Sequence, residues 1–171
     1  MVEAAGFLGA LQPGWTWRNL KTLALTSVLL TPEDFDQDGV ERMLSAAAAA
    51  AARMPNLETM EIWNGRDGVA GLFRYRSARR GGSAGITWRG TWDLTVSKDV
   101  FRAWEAVMHK EEDSVYGYRR SRLVVVKEAL DAGKIRFHGD AIHHLGLEAQ
   151  VIRPVSLYQM RMERDIRESK E

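Results

Sequence analysis

Two copies of one short string constrain this chain more than any other feature. Leu20-Lys-Thr-Leu-Ala-Leu25 and Leu57-Glu-Thr-Met-Glu-Ile62 share the spacing L-x-x-L-x-L, with Met and Ile as leucine equivalents, and lie 37 residues apart. In leucine-rich repeats this spacing marks a strand whose apolar residues face a core. The separation exceeds the usual repeat period because the intervening segment carries a helix. Thr31-Pro32-Glu33-Asp34 looks like its start, with Thr31 as N-cap, Pro32 in the first turn and acids behind it. The helix is expected over 32–54, bent near Gly39 and stopped by Pro55. Strand, helix and strand make a β-α-β unit with parallel strands and a right-handed crossover. Two copies do not make a solenoid, so further structure must cap the sheet.

That structure follows at once, because after Ile62 the apolar period changes to two. Val69, Gly71, Phe73 and Tyr75 alternate with Leu72, Arg74 and Arg76; Ile86, Trp88, Trp92 and Leu94 alternate with Thr87, Arg89, Thr91 and Asp93. Two half-buried strands are expected over 69–94, joined by a Gly- and Arg-rich loop at 77–85. Trp88 and Trp92 share the inward phase and Arg89 and Asp93 the outward one. Ser97 then caps a helix over about 98–110 with the stripe Val100, Phe101, Trp104, Val107 and Met108. Leu123–Val126 reads as a buried strand, a short helix lies near Ala141–Leu145, and Pro154 precedes a last helix carrying Val155, Tyr158, Met162 and Ile166. The expectation is an α/β fold: a leucine-rich-repeat-like parallel β-α-β unit extended by a β-hairpin, with helices packed on the sheet. Residues 1–16 are an N-terminal segment, 17–160 a single domain and 161–171 a charged tail.

Composition narrows the chemistry. With 171 residues the chain can bury a core without staples. It has no cysteine, which excludes a disulfide scaffold, a thiolate metal site and a cysteine nucleophile, and fits a reducing compartment. The 24 Lys and Arg against 23 Asp and Glu point to no partner by overall charge. No run approaches the length of a membrane span, and Glu3 stands where a secretory leader would carry a basic residue. A cytoplasmic or nuclear location without membrane contact is the expectation; no oligomeric state is assigned.

Charge is uneven locally. Residues 66–90 hold Arg66, Arg74, Arg76, Arg79, Arg80 and Arg89 against Asp67, a net +5. With Tyr75 and Trp88 interleaved, alternate-position arginines could grip a nucleic-acid backbone. The plainer reading is a solvated face balancing Glu33, Asp34, Asp36, Asp38 and Glu41. Asp34-x-Asp36-x-Asp38-Gly39 copies half of a calcium loop, but Ser45 stands where the bidentate Glu belongs. His138-Gly-Asp-Ala-Ile-His-His144 is the densest cluster of acid–base groups. Its plain reading is a short helix capped by Asp140 with one histidine packed beneath; the functional one is proton transfer by His138, Asp140 or His143. No metal-ligand spacing is evident, so no metal and no cofactor are expected. Trp63, ahead of Asn64-Gly65 at a strand end, is the tryptophan best set to meet a ligand.

Three strings together carry a resemblance: Met54-Pro-Asn-Leu-Glu-Thr-Met-Glu-Ile-Trp-Asn-Gly65, Ile86-Thr-Trp-Arg-Gly-Thr-Trp-Asp93, and His138-Gly-Asp-Ala-Ile-His-His-Leu145 with Val151-Ile-Arg-Pro-Val-Ser-Leu157. Over roughly residues 17–160 the chain resembles the fungal domain of unknown function 6546. That family commonly forms the C-terminal, leucine-rich-repeat-like half of proteins that begin with an F-box-like segment, so this chain looks like a short or truncated member. The resemblance extends to fungal arginine-containing cyclodipeptide synthases of secondary metabolism, which join two amino acids delivered on transfer RNA into a diketopiperazine. Their Asp-Asp-x-x-Glu pattern is absent; the nearest string is Gln37-Asp38-Gly39-Val40-Glu41. The resemblance implies aminoacyl-tRNA as partner and transferase chemistry by His138, Asp140 and His143. It implies an arginyl substrate bound by Glu58, Glu61, Trp63, Asn64 or Asp93, and tRNA on Arg74, Arg76, Arg79, Arg80 and Arg89. The competing expectation is a non-catalytic module that recruits a protein partner.

Overall fold

The computed structural model describes residues 2–78, 83–115 (backbone alone for 111–115) and 122–148, with isolated positions at 158, 162, 165, 166 and 169. Its elements are α1 (Ala4–Gly9), β1 (Thr22–Thr26), α2 (Gln37–Ala51), β2 (Thr59–Arg66), β3 (Val69–Arg76), β4 (Gly85–Gly90), α3 (Lys98–Val115), β5 (Val124–Ala129) and α4 (His138–Leu145). The fold is α/β: a five-stranded mixed sheet in the order β1-β2-β3-β4-β5 with helices packed on it.

The twin strings form the parallel pair β1 and β2, in which Leu23 lies opposite Met60 and Leu25 opposite Ile62. Helix α2 is the crossover. The alternating segments form β3 and β4; β3 runs antiparallel to both β2 and β4, and β5 returns parallel to β4. Strand alternation sorts side chains onto two faces. Met60, Ile62, Phe73, Tyr75, Ile86 and Trp88 enter the main core beneath α1, α2 and α3. The opposite face carries Trp63, Ala70 and Leu72, covered by Ala141, Ile142 and Leu145 of α4.

The helix stripes explain the main layer. Ala47, Ala48, Ala50 and Ala51 let α2 lie close to the sheet. From α3, Val100, Trp104, Val107 and Met108 are buried. Ser97 Oγ accepts from Val100 N at 3.5 Å, as its capping role requires. Trp104 is fully buried against Tyr75 and Phe73, with ring centroids 4.8 and 5.3 Å away. The N-terminal segment contributes Ala4 and Leu8 of α1 to the same core.

Several expectations need correction. Helix α2 starts at Gln37, not Pro32, and Asp36 caps it, its Oδ1 accepting from Gly39 N at 2.8 Å. Thr31 is instead tied to the end of β2, accepting from Arg66 Nη2 at 2.8 Å, and Asp34 turns the chain with a φ of 49°. The helix ends at Ala51, before Pro55. Strand β4 stops at Gly90, so Trp92 lies beyond it; Trp92 still meets Trp88 edge to face at 5.1 Å, and Trp88 Nε1 donates to its carbonyl. Asp93 is exposed, while Arg89 faces α4. The valines expected in a buried strand lie on the outermost strand β5 and are exposed. Helix α4 begins three residues before the expected Ala141. Residues 79–82 of the hairpin loop, the string Val151–Leu157 and most of the expected last helix lie outside the described residues.

Candidate functional site

Helix α4 sits on β2 and β3 because two glycines permit it. A Cβ on Gly65 would come within 2.2 Å of the Ala141 Cβ, so only glycine lets the helix approach so closely. Gly146 ends the helix with a φ of 60°, in the left-handed region. The last carbonyls of α4 would then lack partners, but the sheet supplies them. Arg89 Nη1 donates to Leu145 O at 2.9 Å and Arg74 Nη2 to Gly146 O at 2.7 Å. Both cations sit at a helix C-terminus, the end that favours positive charge.

Each arginine is backed by a carboxylate. Glu61 and Arg74 face each other across β2 and β3, and Glu61 Oε1 takes both Arg74 Nε at 2.6 Å and Arg74 Nη2 at 2.5 Å. The Glu61 side chain is 0% exposed and that of Arg74 6%. Burial pushes the Glu61 carboxyl above its ordinary value, and the Arg74 charge offsets only part of that rise. Arg89 Nε donates to Glu128 Oε2 at 2.6 Å, and Arg76 Nη2 pairs with Glu148 at 2.9 Å. The three described arginines of the expected nucleic-acid surface thus share one face, each held by an acid. Those acids are not the expected ones: among the described residues, of Glu33, Asp34, Asp36, Asp38 and Glu41 only Glu33 pairs with an arginine of the 66–90 segment, Arg66. Arg79 and Arg80 lie outside the described residues.

The remaining candidates divide between places. His138 stacks on Trp63, ring centroids 4.9 Å apart, and its Nδ1 meets Gly65 O at 2.9 Å. A carbonyl oxygen only accepts, so Nδ1 carries a proton, and in the neutral ring Nε2 then holds the lone pair. Nε2 is buried with no hydrogen-bond partner among the described residues. Asp140 does not cap the helix through its first N–H groups; its Oδ2 reaches back to accept from Arg136 N at 3.1 Å. His143 is exposed and meets His144 edge to face at 5.2 Å. Trp63 is buried in the small core, so it offers no open platform. Asn64 Nδ2 donates to Leu30 O at 3.0 Å.

Glu58 lies before β2, about 16 Å along the strand from Trp63, and pairs with Lys21 at 3.6 Å. Asp93 pairs with Lys127 at 2.7 Å. Lys127 lies opposite Trp88 in the β4–β5 register, which puts it on the face away from α4. Asp93 and Lys127 there line a cleft of about 350 Å³ with Trp88 and Trp92. The sheet therefore separates Asp93 from His138. No local pattern marks Glu128 and Glu148 as arginine partners; the strand register and the path of α4 bring them near.

The half calcium loop is spent on structure. Asp36 caps α2, and Glu41 Oε1 accepts from Gln37 Nε2 at 2.6 Å and from Ser97 N at 3.0 Å, bonds that hold its carboxyl below its ordinary value. Among the described residues no three acidic or histidine side chains are gathered as metal ligands, and no helix is long and apolar enough to cross a membrane.

No curated protein and no solved structure matches this chain. A family model does match, over residues 1–153, which takes in α1 as well as the strings of β2, β4 and α4. The chain belongs to the family of unknown function DUF6546.

Proposed function

We propose that this chain is a non-catalytic protein-interaction module. One observation carries the reading: the charged groups that aminoacyl transfer would require are held by partners within the domain, and they are divided between two faces of the sheet. Glu61, the buried carboxylate best suited to an arginyl side chain, already holds the guanidinium of Arg74. Arg76 and Arg89 are matched by Glu148 and Glu128, which weakens their pull on a phosphate backbone. Large apolar side chains meanwhile stand at the surface, among them Trp15, Val28 and Phe35.

A second reading, an aminoacyl-tRNA-dependent arginine-containing cyclodipeptide synthase-like protein, is favoured by His138. Its Nε2 lone pair, in a buried position beside Trp63, is the kind of base that could take a proton from an attacking α-amine. The two readings part in one experiment: the chain is expressed in a host supplying charged tRNAs, and extracts are searched by mass spectrometry for arginine-containing diketopiperazines. No product is expected. Product that disappears in a folded His138→Ala variant would overturn the interaction-module reading in favour of the enzyme.

A further inference from the structure

The outer edge of β5 is unlike an ordinary edge strand. Such strands are guarded by charge, proline or a bulge, because their free N–H and C=O groups invite another strand. Here Val124, Val125 and Val126 are consecutive and 46, 46 and 41% exposed, and valine is a strong strand former. Lys127, the charge that could guard the edge, is drawn to Asp93 at 2.7 Å. Among the described residues nothing pairs with the outer side of β5.

We propose that this edge binds a second copy of the chain, antiparallel, about a twofold axis at Val125 that continues the sheet across the dimer. Val124 N donates to Ala84 O and Leu130 N to Gly90 O, so the even-numbered residues of this segment bond inward to β4. In a parallel ladder alternate residues bond to one neighbour, which turns the backbone groups of Leu123, Val125 and Lys127 outward. A twofold axis at Val125 sets Val125 against its own copy and Leu123 against Lys127, matching every outward group. Val124 then faces Val126 of the other copy, so the valine run meets itself on both faces. Two residues before the strand, exposed Arg122 comes opposite Glu128 of the other copy, whose Oε2 already holds Arg89 within its own chain and whose side chain is still 39% exposed. Both are even-numbered and project to the α4 face, where opposite charges across strands attract. Shifting the axis to Val126 sets Val124 against Glu128 and Val125 against Lys127, losing both the apolar and the ionic match. The pairing is isologous and self-limiting. It does not depend on the interaction-module reading, since an enzyme could dimerise in the same way.

Sedimentation equilibrium of the full chain tests this. The mass is expected to rise with concentration from 19.3 kDa toward twice that value, and Val125→Lys, which charges the edge, to hold it at the monomer. Arg122→Glu, which opposes like charges, is expected to weaken dimerisation at least tenfold. The chain has no cysteine, so Val125→Cys provides a test of register: under mild oxidation it should cross-link through the axis, where hydrogen-bonded partners bring Cα atoms to about 5.5 Å. Val28→Cys, more exposed than Val125 but remote from the edge, should not. A chain that stays monomeric at all concentrations overturns the proposal. So does a dimer untouched by Val125→Lys in a folded protein, or equal cross-linking of the two cysteine variants.

Discussion

Replacing Arg74 with methionine takes away the guanidinium that neutralises Glu61 while keeping most of the side-chain volume. Glu61 is 0% exposed and both donors it receives from Arg74 lie within 2.6 Å, so the single variant leaves a buried carboxylate without its counter-ion. Breaking such a pair costs about 3–5 kcal/mol. Glu61→Leu strands the guanidinium, which among the described residues keeps Gly146 O at 2.7 Å, and a similar cost is expected. Replacing both removes the two charges together. What then remains is one charge-assisted bond lost at Gly146 O, about 1.5–3 kcal/mol, against the desolvation of two ions that no longer has to be met. The double variant Glu61→Leu/Arg74→Met is therefore expected within about 2 kcal/mol of the wild type, far short of the sum of the singles. Urea unfolding followed by tryptophan fluorescence measures all four corners of the cycle, provided the m-values agree. Additive singles, or an Arg74→Met cost near the roughly 0–1 kcal/mol of a surface pair, would refute the account and return Arg74 to solvent and to a ligand role.

Burial raises the Glu61 carboxyl above 4.5, so the folded chain binds that proton more tightly than the unfolded one. Its contribution to stability is therefore fully present below about pH 4.5 and is lost as pH rises through the raised value; urea titrations across that window should show this slope in the wild type and not in Glu61→Leu/Arg74→Met. Gly65→Ala forces a Cβ to within 2.2 Å of Ala141, at an overpacking cost of about 1–3 kcal/mol, and adding Ala141→Gly should recover part of it in the same melts. Trp104→Ala empties the centre of the main core and should cost about 3–5 kcal/mol; an unchanged melting midpoint would reject its assignment to the core.

Periodicity carried much of the fold. The L-x-x-L-x-L copies gave the parallel pair, the alternation after Ile62 gave β3 and β4, and the stripe from Val100 to Met108 gave the buried side of α3. The cap was misplaced, because Thr31 precedes a turn rich in acids as a cap would, whereas Asp36 caps the helix; tertiary bonds from Arg66 and Asn64 instead fix residues 30–31 to the end of β2. A run of valines suits a buried strand, yet its exposure depends on sheet position, which a local window does not contain. The arginines were legible as sharing one face. Whether that face meets water or protein depended on Glu61, Glu128 and Glu148, which only register and the path of α4 bring within reach. The same limit applied to His138 and Asp93, which lie far apart in sequence and on opposite sides of the sheet.

The central claim is that the face beneath α4 is closed by internal ion pairs and is not a surface awaiting a ligand. Hydrogen exchange on the amides of α4, with and without aminoacylated tRNA, tests it most directly. The account expects the amides of Ile142 to Leu145 to be protected in the free protein and unchanged by tRNA. Rapid exchange in the free chain, slowed when charged tRNA is added, would contradict it.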